Sequence, residues 1–226
     1  MYWVVSKQTC ACCCCCVAKA APDALRLFQL YVHGDMAWVR DKIDRAVAAG
    51  VKAFCLTVDS AVYSRRERDI SKRYLRRTHV PGREYQALLD WDQVAAIRAI
   101  CPLPMILKGI ETAEDASLAL DHGIDMVYVS NHGGRAEESG RGTIECLPEV
   151  LEGAASMPVM IDGGFRRGTD IYKALALGAS AVMIGRPYLW GLAVAGESGV
   201  TRVLDILRAE IELALALVGC PDVRQL

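Results

Sequence analysis

The segment Ser130-Asn131-His132-Gly133-Gly134-Arg135 places a titratable imidazole and a fixed guanidinium three residues apart. An imidazole takes a proton near neutral pH, and a guanidinium grips a carboxylate at two points. The paired glycines let the backbone approach a flat ligand closely. A base beside a carboxylate clamp suits proton removal from a small organic acid. Both groups follow the apolar run Met126-Val127-Tyr128-Val129, so they leave one strand end together.

A second cluster reads as an anion site. Asp162-Gly163-Gly164-Phe165-Arg166-Arg167-Gly168 follows one apolar run and opens a helical stretch, and Ile184-Gly185-Arg186-Pro187 follows the next run. Glycine N–H groups, a helix start, Arg166 and Arg186 together suit a phosphate. Lys108 closes a further apolar run, where an ammonium is costly unless something anionic faces it. The plainer alternative is a lysine that reaches out to solvent from the strand end. Asp59 can hydrogen-bond a histidine or serve as a turn or cap aspartate. His33, His79 and His122 lack such neighbours and read as surface or loop histidines.

These residues need a scaffold that presents strand ends. From about Ala24 onward, six apolar runs alternate with amphipathic helical stretches: 28–32, 53–58, 104–108, 126–130, 158–162 and 181–185. Apolarity that is continuous rather than alternating means burial on both faces, as in parallel strands covered by helices. Gly50, Gly123 and Gly178 stand where helices end, each followed within a few residues by a strand. Thr112-Ala113-Glu114-Asp115 reads as a helix start capped by Thr112. Repeated strand-helix units fit either an open doubly wound sheet or a (β/α)8 TIM barrel. Nearly every strand ends in a polar residue: Gln29 and Tyr31, Thr57 and Asp59, Lys108, Ser130 and His132, Asp162, Gly185 and Arg186. An open sheet concentrates chemistry at one switch point, whereas a barrel spreads it over many strand ends. The barrel is expected.

The 226 residues suffice for one large core, and the net charge of −1 offers no basic field for nucleic acid. No apolar stretch reaches the roughly 18–20 residues that span a bilayer, and the start of the chain lacks a signal-peptide layout. A soluble, cytoplasmic protein without a membrane partner is the expectation. Six of the ten cysteines are Cys10 and Cys12 to Cys16, a low-complexity run rather than a disulfide framework or a spaced metal site. Residues 1–16 are accordingly set apart from a barrel domain over 17–226. The charged stretch from Arg66 to Trp91 suits a solvated loop over the barrel mouth.

Taken together, Phe28-Gln29-Leu30-Tyr31-Val32, Leu56-Thr57-Val58-Asp59, Arg65-Arg66-Glu67-Arg68-Asp69, Leu107-Lys108-Gly109, the 130–135 segment, 162–170 and 184–187 resemble the FMN-dependent α-hydroxy-acid oxidases and dehydrogenases, in the family's order. The resemblance runs from about Val17 to the C-terminus. It implies an FMN cofactor and oxidation of a small 2-hydroxy acid to the 2-oxo acid. His132 would be the base, and Asp59 would stabilise the imidazolium. Arg135 and Arg66 would hold the substrate carboxylate, with Tyr31 adding a hydrogen bond. Lys108 would sit by the flavin N1 and C2 carbonyl, and Gln29, Thr57 and Ser130 would contact the ring system. Asp162, Gly163, Gly164 and Arg166, with Gly185 and Arg186, would bind the FMN phosphate. Loss of the C2 hydrogen as a proton and its loss as a hydride need the same residues.

The chain also departs from that family. It begins near the third barrel strand, so an incomplete barrel lacking the first one or two strand-helix units is expected. Tyr2-Trp3-Val4-Val5-Ser6 resembles a remnant of the second strand but runs into the cysteine repeat, and it is not counted as a strand. Missing strands leave edges unpaired, which favours a homo-oligomer. After Arg135 the chain reads Ala136-Glu137-Glu138-Ser139, where many members have Gln-Leu-Asp-His. Two other readings remain: an inactive barrel fragment, and another phosphate-binding FMN barrel enzyme such as an isomerase.

Overall fold

A computed structural model describes residues 3–7, 17, 19–62, 70–73, 82–136 and 139–226. Among the described residues, seven parallel strands form one sheet: β1 (Trp3–Lys7), β2 (Leu25–Leu30), β3 (Ala53–Thr57), β4 (Met105–Lys108), β5 (Met126–Val129), β6 (Val159–Ile161) and β7 (Ala181–Val182). Helices α1 (Met36–Ala48), α2 (Arg83–Ala87), α3 (Trp91–Ile100), α4 (Ala113–Asp121), α5 (Thr143–Ala154), α6 (Gly168–Ala176) and α7 (Arg186–Leu217) fill the connections. The strands neighbour one another in chain order, β1 to β7, without a reversal. A doubly wound sheet must reverse at its switch point, so this order is that of a barrel wall. The (β/α)8 expectation holds, as an incomplete barrel.

The count corrects the sequence reading at one point. Trp3–Lys7, not counted as a strand above, pairs with β2 from Trp3 against Leu25 to Lys7 against Gln29. The sheet therefore begins ahead of the cysteine run.

Pleating sorts each strand's residues into two cores, because successive side chains point to opposite faces. Phe28 and Leu30, Phe54 and Leu56, Met105 and Leu107, Val127 and Val129, and Val159 and Ile161 face the helices and join one large apolar cluster. Leu27, Ala53, Cys55, Ile106, Tyr128 and Met160 form a second, smaller cluster on the inner face. Followed onward in steps of two, that inner parity leads to Gln29 and Tyr31, Thr57 and Asp59, Lys108, Ser130 and His132, and Asp162. Burial pushes the Cys55 thiol up to about 12, so this inner cysteine is neutral packing.

Capping follows the sequence signals. Asp35, Asp90 and Thr112 accept hydrogen bonds from the backbones of Trp38, Gln93 and Asp115. Gly50, Gly123 and Gly178 have positive φ where the helical turns end. Helix α7 breaks at Ala195 and Gly196, where the backbone leaves helical geometry. Among the described residues, no helix is long and apolar enough to cross a membrane.

At the opposite end of β2 from the site, Arg26 is 8% exposed and ties three segments together. Its guanidinium donates to the carbonyls of Ala21, Pro22, Ala49 and Gly50 at 2.8–3.3 Å. Replacing it leaves those acceptors short of partners. Arg26→Met is expected to lower stability by about 1–3 kcal/mol, read as a lower urea midpoint with unchanged slope. An unchanged midpoint would contradict this role.

Candidate active site

The turn after β5 is built around Asn131. Its backbone carbonyl accepts from the N–H groups of Gly134, Arg135 and Ala136, and its side chain bonds the N–H of Gly134 and the carbonyl of Arg141. His132, Gly133 and Gly134 follow one another at φ 57°, 72° and 78°. A left-handed histidine is costly, and such strain persists where surrounding structure holds it. Here the Asn131 bonds hold it.

The ring of His132 is gripped on both sides. Nδ1 lies 2.7 Å from Asp59 Oδ2, and Nε2 lies 2.8 Å from the Tyr31 hydroxyl. A carboxylate only accepts, so in the neutral ring Nδ1 carries the proton and Nε2 presents its lone pair. The side chain of Asp59 is only 5% exposed, and Ser60 donates to its other oxygen at 3.2 Å. Asp59 needs Gly109 beside it: a Cβ there would stand 2.4 Å from the Asp59 Cβ. Burial, then the Asp59 charge, raises the Tyr31 phenol well above its usual value, so it stays a neutral hydroxyl. Gln29 Nε2 donates to that hydroxyl at 3.2 Å and to Thr57 Oγ1 at 2.9 Å.

Beside this line lies a second array. Lys108 is buried, with its ammonium bonded to Ser130 Oγ and 3.6 Å from Asp162 Oδ2. Ser130 and Tyr128 donate to the two oxygens of Asp162 at 2.7 and 2.8 Å. The ammonium also stands 4.9 Å from the centre of the Tyr128 ring. Burial, then the Asp162 charge, holds the Tyr128 phenol far above its ordinary value. Lys108 therefore does not reach out to solvent, and its cost is offset by a carboxylate and hydroxyls. These bonds turn the Asp162 carboxylate to Lys108, so only its backbone is left to serve the phosphate loop expected from the sequence.

Gly133, Gly134, Gly163, Gly164 and Arg186, with Asn131, Gly142 and Thr143, line a cavity of about 200 Å³. A Cβ at Gly164 or Gly185 would meet nothing, so bare backbone faces open space there. Gly163 is different: a Cβ would lie 2.7 Å from Thr143 Oγ1, which donates to the carbonyl of Asp162 at 2.5 Å. Arg186 is exposed, and its guanidinium reaches toward Gly133. Such a cradle of glycines with one guanidinium suits a phosphate. Arg166 is exposed and rests on the Trp190 ring, 5.4 Å from its centre, away from the lining. A wider hollow of about 630 Å³ at the break in α7 is lined by Ala195, Glu197 and Arg202 among others and contains no strand-end residue.

The structure thus brings together Gln29, Tyr31, Thr57, Asp59 and His132, and separately Lys108, Ser130 and Asp162. Arg135 is exposed at the turn and makes no ion pair among the described residues. Arg66 and His79 lie outside the described residues. His122, expected as a surface or loop histidine, stands at the end of α4, bonded to the Leu118 carbonyl and against the Trp91 ring. His33 is half-buried, and burial holds it below the ordinary imidazole value. Four participants carried no assignment from sequence: Asn131, Tyr128, Thr143 and Gln86, the last a buried residue of α2 bonded to the backbones of Val32 and Thr57. Tyr128 was findable from strand parity with Ser130, and Asn131 from its Asn-x-x-Gly turn. Nothing local marks the other two.

The sequence matches the FMN-dependent dehydrogenase family over residues 4–85 and 75–226. It is 40% identical over 229 residues to L-lactate oxidase of Nostoc sp., covering 90% of this chain and 63% of that one. It is 43% identical over 235 residues to glycolate oxidase 3 of Oryza sativa subsp. indica, covering 93% and 64%. The fold superposes on a soluble mutant of the membrane-associated (S)-mandelate dehydrogenase from Pseudomonas putida with a TM-score of 0.88 at 34% identity, covering 99% of this chain and 69% of that one. The chain spans a little under two thirds of the length of these two oxidases. With a barrel wall in chain order and a histidine held at its strand ends, the chain belongs to the FMN-dependent dehydrogenase family.

Proposed function

We propose that this chain binds FMN and oxidises a small 2-hydroxy acid to the 2-oxo acid. One observation carries the reading: the Asp59–His132–Tyr31 line and the Lys108–Ser130–Asp162 array lie on the same inner face of one barrel wall. The first group can take a proton. The second would offer a buried cation to a reducible ring that gains negative charge.

The residues fit the cofactor in two places. Gly163, Gly164, Gly185 and Arg186 would hold the phosphate over bare backbone. Lys108 would face the ring, with Gln29, Thr57 and Ser130 offering polar contacts beside it. FMN, when bound, supplies the acceptor for the electron pair that leaves C2.

The protein's own part is proton management and orientation. His132 Nε2 takes one proton from the hydroxy acid, and Asp59 at Nδ1 stabilises the imidazolium that results. Tyr31, kept neutral by burial, would release its hydroxyl from Nε2 to the substrate carboxylate as the acid takes its place beside the base. Arg135 and Arg66 are the proposed clamp for that carboxylate, by two-point hydrogen bonding. The acid gives up two hydrogens and an electron pair in all, and the same residues serve whether the C2 hydrogen goes to His132 as a proton or leaves as hydride.

Two outcomes test the reading. The full chain loaded with FMN is expected to be yellow and to bleach anaerobically on addition of glycolate, lactate or mandelate. A flavin-loaded chain that no 2-hydroxy acid bleaches would contradict the activity and favour a barrel that binds without reacting. His132→Ala is expected to retain flavin and lose bleaching by at least about a hundredfold. Loss of flavin from that variant would contradict the assigned role.

A further inference from the structure

The ladder between β2 and β3 ends at the pair Leu30 and Leu56. Beyond it β3 continues against β4, where the N–H of Val58 donates to the carbonyl of Lys108 at 2.8 Å, while no further backbone bond joins it to the chain after β2 among the described residues. Tyr31 and Asp59, which hold the two nitrogens of His132, both lie past this end. Backbone pairing does not set their spacing.

Gln86, from α2, fills the gap. It is 3% exposed, its Oε1 accepts from the N–H of Val32 at 2.6 Å, and its Nε2 donates to the carbonyl of Thr57 at 2.7 Å. One side-chain amide thus supplies the donor and acceptor that a further ladder rung would have supplied. The first bond falls one residue after Tyr31, the second two residues before Asp59. Helix α2 is seated on the same strand end at a second point: Gly82 lies so close to His33 that a Cβ would stand 2.1 Å from the His33 carbonyl oxygen. A shift of α2 therefore moves the Tyr31 and Asp59 supports relative to each other.

We infer that Gln86 is a positioning residue, which sets the distance between Tyr31 and Asp59 and so fixes the tautomer and tilt of His132. Its effect on turnover rests on the oxidase reading above; its effect on the His132 ring does not. Satisfied buried amides of this kind are costly to half-remove, since either backbone group is left without a partner.

The test uses the full chain with Gln86→Leu, which keeps bulk and removes both bonds, and Gln86→Glu, which keeps only the acceptor for Val32. The ring ¹⁵N resonances of His132, assigned by their loss in His132→Ala, are compared without flavin at a pH where the ring is neutral. The parent is expected to show Nδ1 protonated and Nε2 bare. Each variant is expected to move toward a tautomer mixture. In the FMN-loaded chain, the rate of bleaching at saturating substrate is expected to fall about tenfold or more, with flavin affinity within about twofold of the parent. Should Gln86→Leu not fold, Gln86→Glu carries both comparisons. Unchanged ¹⁵N resonances in a folded variant would overturn the inference. If the parent itself never bleaches, the oxidase reading fails while the resonance comparison still decides the role of Gln86.

Discussion

Alternation along a parallel strand is the constraint from which the site follows. A strand buried on both faces must send every second side chain inward, so a residue's chemistry is committed by its parity. From Leu27 to Tyr31, from Ala53 to Asp59 and from Ile106 to Lys108, the inner parity passes from apolar filling to polar groups within a few residues. A one-residue slip of any strand would send its polar group among the helices and its apolar neighbour into the mouth. Register and chemistry are one problem here.

That arrangement puts charge where water is scarce, and the molecule answers by closing hydrogen bonds. Lys108 meets Asp162 and Ser130, Asp162 meets Tyr128 and Ser130, and Asp59 meets His132 and Ser60. Removing one member of such a set strands the others, which costs more than the pair contributes net. The polar layer is therefore a unit in which each residue positions the next. Its outer rim is looser in character: Arg135, Arg166 and Arg186 are all exposed, as groups that meet a mobile ligand can be.

Sequence carried the barrel and the inner line of residues because both are periodic. The glycine after each helix, the apolar runs and the polar residue at each strand end repeat with the fold's own unit, and Asp59, Lys108, Ser130 and His132 stand where that repeat puts them. What the sequence hides are contacts distant along the chain. Asp162 precedes two glycines, which marks it for a phosphate loop, while its parity turns its carboxylate to Lys108, a contact that spacing does not reveal. Gln86 sits in a short helix within an unpatterned connection, and only the gap between β2 and β3 gives it work. Trp3–Lys7 was discounted because the cysteines after it broke the pattern, although five residues suffice for a strand when a partner edge is waiting.

The proposed reaction takes place at C2 of a 2-hydroxy acid, where His132 and a bound flavin would act together. Single-turnover reduction of the FMN-loaded full chain, at saturating substrate, with the acid carrying either hydrogen or deuterium at C2, addresses that centre directly. Slower bleaching with the deuterated acid is the predicted result, since the C2–hydrogen bond breaks as the flavin is reduced. Bleaching that ignores the isotope, or deuterated acid left unconsumed while flavin is reduced by another route, would contradict the account.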